Sequence, residues 1–446
     1  MSKRLPFRKL RYALAGLAVL GGVASLAVWQ LSRLGERPRG LDAPAAAPAA
    51  PDAAAVARGA QLARAGHCAG CHTAPGGAAF AGGRRLNTDF GAVSAANLTP
   101  SAEHGLGRWQ EADFWRALHH GRSADGRALL PVCPFPNFTH VRREDSRDLF
   151  AYLQSLPAVD TPTPPHDLRW PYGTPVAQAV WRALFFRPGG ELPAAPTTLP
   201  PALQADWQRG AYLVAGLGHC SACHAERNGW GAVPGPLNGA LNLGGGRVPG
   251  RGWLAPALDD PHAAGLQGWP LADAVALLEG GRSPQATVAG PMALVVAGST
   301  QHLPAADLRA LTTFLQHPPG AATTAQAPPP TAEAAQPAVL ALGAQVYDRH
   351  CVDCHGSQGQ GVAGAGPALA GNRAVVLGAP DNVLRVVLGG GYGPATATVP
   401  RPWGMPPYAT VLSDAEIAAV VSHVRQAWGH QASAVTPVQV NRARGL

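Results

Sequence analysis

Three stretches of the chain repeat one arrangement of thiol and imidazole ligands: Cys68-Ala-Gly-Cys71-His72, Cys220-Ser-Ala-Cys223-His224 and Cys351-Val-Asp-Cys354-His355. Two thiols at this spacing can form thioethers to the two vinyl groups of a haem, and the adjacent histidine is then placed to ligate its iron; CxxCH is the attachment pattern of c-type haem. Random placement of seven cysteines and sixteen histidines in 446 residues gives about 0.004 such matches, so three copies are not accidental. Zinc would want paired CxxC units within one fold, whereas well over 100 residues separate these. Thiol redox chemistry of the thioredoxin kind needs a βαβ context, and none is legible. The expectation is three covalent haem c groups on Cys68, Cys71, Cys220, Cys223, Cys351 and Cys354, with His72, His224 and His355 as axial ligands.

Each iron then needs a second axial ligand or an open face. A methionine thioether is the usual partner of histidine and raises the potential. Apart from Met1 the chain has two methionines, Met292 and Met405, each between the middle and last helical patterns of its repeat. Packing by a flexible side chain does not explain that shared place, so both are expected as ligands. The first repeat has no methionine. It has the seventh cysteine, Cys133, in "LLPVCPFPNF" (129–138), fifteen and sixteen residues before Asp148-Leu149, as Met292 is before Asp307-Leu308. Upstream, Arg122 precedes Cys133 by eleven residues and Arg282 precedes Met292 by ten. Cys133 is therefore expected as the distal ligand of the first haem, its thiolate lowering the potential. The alternatives are a buried thiol beside five-coordinate iron, or ligation by His119, His120 or His140. His67, His219 and His350, one before each motif, read as polar rim residues. Gly-Pro turns at 235–239 and 366–372 offer the carbonyls of Pro236 and Pro367 to the Nδ1–H of the ligating histidines.

The elements that must position these groups also recur. Gly-Ala precedes each motif (Gly59-Ala60, Gly210-Ala211, Gly343-Ala344), and Trp stands eleven residues after Leu at Leu98/Trp109 and Leu258/Trp269. Apolar residues spaced three and four apart, ending in Gly, mark middle helices in "QEADFWRALHHG", "LADAVALLEGG" and "DNVLRVVLGGG". Closing helices read from "DSRDLFAYLQSL", "AADLRALTTFLQ" and "SDAEIAAVVSHVRQAW", the last with Ser413 and Glu416 spaced as a capping box. No stretch alternates with period two, so the expected class is all-α: three tandem haem domains at 53–187, 203–317 and 338–430. Pro-rich spacers at 32–52, 187–201 and 318–337 join them, and 431–446 is left as a tail.

Net charge is +8, but residues 1–40 hold eight basic residues and one acidic, leaving +1 for the other 406. No basic groove for nucleic acid is supported. The charge flanks Tyr12–Leu31, twenty residues without a formal charge, about 30 Å as a helix and enough to span a bilayer. Five basic residues in 1–11 against a net +2 just beyond it put the N-terminus in the cytoplasm. The rival is a cleaved signal peptide with "ASLA" near the cut, but the apolar run exceeds an h-region of about 7–15 residues. A retained anchor in a bacterial inner membrane is expected, with the haem domains in the periplasm.

With "FAGGRRLNTDFGAVSAANLTPSAEHGLGRW" (80–109), "MPPY" (405–408) and "LSDAEI" (412–417), the chain resembles the membrane-associated three-haem cytochrome c subunits of bacterial periplasmic dehydrogenases. The resemblance covers residues 55 to 428. Two departures stand out: Ala257 where such proteins usually have Asn, and Cys-Pro-Phe (133–135) where they often have Met-Pro-Tyr or Phe-Pro-Tyr. It implies an electron relay from a quinoprotein, flavoprotein or molybdenum catalytic subunit oxidising an alcohol, sugar acid or aldehyde, toward membrane quinone or a terminal oxidase. No Rossmann fingerprint, P-loop or Gly-x-Ser-x-Gly suggests an organic substrate site in the chain itself. Two other readings remain: a free-standing anchored carrier, and a haem enzyme acting on a small sulfur compound at the first haem.

Overall fold

The structure, a computed structural model, describes residues 5–33, 52–250, 252–319, 332–402 and 404–445. Most of the spacers expected at 32–52 and 318–337 lie outside the described residues. In chain order the helices are α1 (Leu5–Ser32), α2 (Ala53–Ala65), α3 (Cys68–His72), α4 (Glu111–His120), α5 (Phe135–Phe138), α6 (Arg143–Gln154), α7 (Pro175–Phe185), α8 (Pro201–Ala215) and α9 (Ser221–His224). They continue as α10 (Leu271–Gly280), α11 (Pro291–Gly298), α12 (Ala305–Gln316), α13 (Pro337–His350), α14 (Val352–His355), α15 (Arg373–Val376), α16 (Asp381–Gly389), α17 (Asp414–Gln426) and α18 (Pro437–Arg444).

One helix pair occurs three times: α2 on α6, α8 on α12 and α13 on α17. The Gly of each Gly-Ala pair sits at the crossing. A Cβ on Gly59, Gly210 or Gly343 would collide with the carbonyl of Asp148, Ala310 or Ala419 on the facing helix, so the glycines let two backbones touch. In the second pair Trp207, Ala211 and Val214 on α8 bury one face against Leu308, Leu311 and Phe314. A fully buried side chain of this size contributes roughly 1.5–3 kcal/mol. The middle helices α4, α10 and α16 end at Gly121, Gly281 and Gly390, all with positive φ (59°, 73° and 64°), the C-terminal stop that favours glycine. The capping box at Ser413 and Glu416 is formed in both directions.

The structure departs from the all-helical expectation in short strands. β1 (Arg85–Thr88), β2 (Gly91–Ser94) and β3 (Asp167–Leu168) make an antiparallel sheet, with Arg85 opposite Ser94 and Gly91 opposite Leu168. β4 (Gly246–Arg247) pairs with β5 (Leu254–Ala255), and β6 (Gly391–Tyr392) with β7 (Gly404–Met405). Strands of two to four residues are too short for an alternating pattern to register.

Two expected boundaries differ as well. The 187–201 spacer is packed: Leu192, Ala195 and Leu199 join the core around α8 and α12. The stretch from 431 on is no loose tail, since Val435 and Val440 are buried in the core around α17 and Arg444 pairs with Asp414 at 2.6 Å. The first and second regions also share a core. Leu217, 1% exposed, packs among Ala63, Leu149 and Cys68, and Asn137 Nδ2 donates to the Ala215 carbonyl and to Ser221 Oγ, each at 3.0 Å.

Candidate functional site

Each CxxCH turn follows the first helix of a pair, and its histidine is held at two points. The ring Nδ1 lies 2.7 Å from the Ala96 carbonyl in His72, 2.8 Å from that of Pro256 in His224, and 2.8 Å from that of Pro367 in His355. A carbonyl only accepts, so Nδ1 carries the proton and Nε2 is left to bind a metal. The histidine's own carbonyl accepts from Gly82, Gly245 or Gly361 at 2.8, 2.9 and 2.7 Å. These glycines are left-handed (φ 75°, 79° and 78°), and a Cβ on each would strike the peptide whose carbonyl holds the ring: 96–97, 256–257 or 367–368. The three glycines are positioning residues that the sequence reading missed. They fall ten, twenty-one and six residues after their histidines, so no fixed spacing reveals them. Pro367 was anticipated. Pro236 was not the right acceptor: it precedes a short 3₁₀ turn whose Leu237 carbonyl faces His140 Nε2 at 3.2 Å. The Pro256 carbonyl, directly after β5, takes its place; Ala96 likewise stands just beyond β2.

The distal candidates fall as follows. Met292, in the first turn of α11, packs on the same core as Cys220. Met405 ends in β7, and three residues on Tyr408 packs on the core that holds Cys351 and donates to the His350 carbonyl at 2.7 Å. Cys133 lines one cavity with Cys68, Cys71 and His72, and its charge state is felt at Cys68. His119, His120 and His140 do not line that cavity; His119 stacks on Trp115 at 4.5 Å. The helix crossings align Asp145, not Asp148, with Asp307. Counting back from the last helix is therefore three residues out. The equivalence of Cys133 and Met292 rests instead on the turn before them, since each lies five residues after the second member of a bridge, Arg122–Ala128 or Arg282–Thr287.

The cavity is about 3140 Å³, several times the roughly 300–1,000 Å³ of an ordinary ligand pocket. Leu98, Leu106, Phe114 and Leu153 supply apolar wall, and the arginines lining it outnumber the carboxylates. Burial pushes the Cys68, Cys133 and Cys220 thiols up to about 12 and Cys351 up to about 11. Burial also lowers the pKa of His72, His224 and His355, their carbonyl bonds opposing it, so the rings are neutral and able to ligate. Paired thiols without disulfides, a fixed Nε2 and, at the first two motifs, an apolar cavity with arginines in its wall fit haem with its two carboxylates.

His67 and His219 are not rim residues. They sit in the seam between the first two motifs, both with left-handed backbone (φ 48° and 36°). His219 Nε2 is 3.3 Å from the Gly66 carbonyl, and the His67 ring lies against Gly298 at the end of α11. His350 packs its ring on Tyr408.

The sequence model of the cytochrome c family matches residues 56–157 and 340–428. The cytochrome c subunit of the quinone-type alcohol dehydrogenase of Gluconacetobacter polyoxogenes is 35% identical over 402 residues, covering 88% of this chain and 85% of that protein. The gluconate 2-dehydrogenase cytochrome c subunit of Pantoea cypripedii is 33% identical, covering 85% and 87%. The fructose dehydrogenase cytochrome subunit of Gluconobacter japonicus is 29% identical over 422 residues, covering 89% and 84%. Cytochrome c domains carry covalently bound haem c, and the chain belongs to the family of cytochrome c subunits of bacterial dehydrogenases.

Proposed function

We propose that the chain is a three-haem electron relay, taking electrons from a dehydrogenase catalytic subunit that oxidises an alcohol, sugar acid or aldehyde and passing them to membrane quinone or a terminal oxidase. The observation that carries the reading is the histidine clamp, present in the same form at His72, His224 and His355. Haem c supplies reversible one-electron chemistry when bound. The Cys pairs would hold it covalently, and the Nδ1–carbonyl bonds would fix each ring and raise its donor strength. Met292 and Met405 would occupy the distal side in the second and third domains, and Cys133 in the first. The recurring helix pair supports three cytochrome c domains, the second taking in Leu192, Ala195 and Leu199 ahead of α8 and the third taking in Val435 and Val440 beyond α17.

The dehydrogenase partner is inferred from the relatives, which are subunits of dehydrogenases, and the membrane acceptor from the apolar stretch Arg11–Gln30. That segment would hold the chain in the inner membrane with its haem domains in the periplasm. Pyridine haemochrome assay and intact mass, after expression with cytochrome c maturation machinery, should give three haems per chain; two or fewer overturns the count. The protein should fractionate with membranes, and a mature N-terminus mapping between residues 25 and 45 would overturn the anchor.

A further inference from the structure

After α6 the chain makes an excursion with no equivalent after α12 among the described residues: it adds β3 to the hairpin and ends in α7. The inner face of α7 carries Trp181, Arg182 and Phe185, which line the cavity that also takes in Cys68, Cys71 and His72 of the first motif and Cys223 of the second. Its outer face carries Val176, Val180 and Leu184, four residues apart and therefore on one stripe. Val176 is 72% and Leu184 57% exposed. Trp170 and Tyr172, 85% and 40% exposed, stand before the helix, and the exposed Trp230 lies beside Phe185. No acidic residue occurs between Asp167 and Glu191. A contiguous apolar face of this kind marks a contact surface.

The neighbour of α7 indicates what covers it. α1 packs beside it, and Arg11–Gln30 within α1 is long and apolar enough to cross a bilayer. The contact falls at the C-terminal end of α1. Val28 is half-buried while the rest of Arg11–Gln30 is exposed, and Trp29 and Arg33 line the same cavity as Tyr172 and Phe185. The end of a spanning helix lies at headgroup depth, where Trp and Tyr concentrate and Arg reaches anionic lipid. Arg33 stands 4.7 Å from the Trp29 ring, and Arg169 adjoins Trp170.

We propose that the outer face of α7, with Trp170 and Tyr172, is seated in the interface of the outer leaflet as a second membrane contact. This rests on the reading of α1 as a membrane anchor. Because the inner face of the same helix walls the cavity that the first and second motifs share, the contact holds that pair of sites, rather than the third, at the membrane surface.

The test uses the full haem-loaded chain in vesicles of phosphatidylethanolamine and phosphatidylglycerol, labelled from the lipid phase with an apolar aryl diazirine and mapped by mass spectrometry. Adducts are expected on α1 and on residues 170–184, and not on the exposed Val411 or Val438 in the third region. Val176→Asp combined with Leu184→Asp should lower labelling of 170–184 about tenfold, with haem content and α1 labelling unchanged. Adducts on α1 alone, or labelling of α7 that survives the double substitution, overturn the proposal and leave the anchor standing. Absence of adducts on α1 overturns the anchor instead, and α7 labelling then reports on the second contact by itself.

Discussion

The regions 52–187 and 201–317 are built alike on one side of the histidine and differently on the other. Both set Arg-Gly-Ala at the helix crossing, both place a hairpin after the motif, and both take the histidine Nδ1–H on the carbonyl just past it. They differ in the residue proposed for the opposite face: Cys133, which shares a cavity with Cys68, Cys71 and His72, in the first, and Met292, which shares a core with Cys220, in the second. They differ again beyond the last helix. In the first region Asn97 reaches the carbonyls of Val159 and Thr161 at 2.8 and 3.2 Å and pins the excursion toward α7. In the second, which has no such excursion among the described residues, Ala257 stands at the matching place. The proximal side depends on backbone geometry and tolerates little change. In the proposed reading the distal side is set by one side chain, Cys133 in a loop or Met292 in the first turn of α11, and that is where two otherwise similar sites can be given different potentials.

Exchanging the distal residues should therefore have the largest effect. Cys133→Met should raise the first haem's potential toward that of the second, and Met292→Ala should lower the second, both within the roughly 0.8 V that axial ligands span. Potentiometric titration followed by low-temperature EPR resolves the sites. A thiolate-type low-spin signal should vanish in Cys133→Ala and become His/Met-like in Cys133→Met. Unchanged spectra and potentials would remove the distal contrast.

The shared side can be broken at its glycines. Gly82→Ala and Gly245→Ala should each cost about 2 kcal/mol or more, since an L residue in the left-handed region loses roughly 1–2 kcal/mol and the new methyl meets the acceptor peptide. Loss of the altered haem's normal ligation spectrum, with the other two intact, is the expected readout. Gly76 is a control: it is left-handed (φ 71°) with nothing within 4 Å of its Cβ position, so Gly76→Ala should carry only the backbone cost and leave the haem spectra unchanged.

Side chains that carry their own chemistry were legible in the sequence; main-chain partners were not. The CxxCH turns, the capping box at Ser413 and the crossing glycines each leave a pattern of residue types at fixed spacing. The carbonyls of Ala96 and Pro256 leave none, because any residue supplies a carbonyl and the loop between the histidine and its acceptor differs in length each time. Gly-Pro pointed to Pro367 because the acceptor there happened to lie in a recognisable turn; the same cue at Pro236 misled. Cys133 was found by a count that the helix crossing puts three residues out, and it is the equal length after the Arg122–Ala128 and Arg282–Thr287 bridges that supports its place. The burial of Val435 and Val440 was missed because a short helix after a loop shows no periodicity long enough to read.

At the helix crossing the two regions should respond equally. A methyl on Gly59 meets the Asp148 carbonyl and Tyr152 Cβ at 2.7 Å; one on Gly210 meets the Ala310 carbonyl and Phe314 Cβ at 2.6 Å. Gly59→Ala and Gly210→Ala should each destabilise by about 1–3 kcal/mol through overpacking, read as denaturant midpoints of the haem-loaded protein. A cost at one and none at the other would show that one pair can slide apart.

The smallest difference lies one residue upstream. Arg209 grips Asp307 with two bonds, 2.8 and 3.0 Å, and Arg58 grips Asp148 likewise at 2.5 and 3.1 Å. The carboxylate bond raises the pKa of both arginines. Their surroundings differ: the Arg209 side chain is 34% exposed and lies 5.4 Å from the Tyr212 ring, whereas that of Arg58 is 57% exposed. Water and salt screen an ion pair in proportion to its access. Arg209→Ala should therefore cost up to about 1 kcal/mol and retain part of that cost in high salt, because the ring contact is lost as well. Arg58→Ala should cost less, and its effect should fade as salt is raised. Denaturant midpoints of the two single variants at low and high ionic strength make the comparison, each against the parent protein under the same conditions. Equal costs with equal salt dependence would mean that the aromatic face beside Arg209 adds nothing, and that reaching a carboxylate three residues earlier on the facing helix makes no difference to the pair.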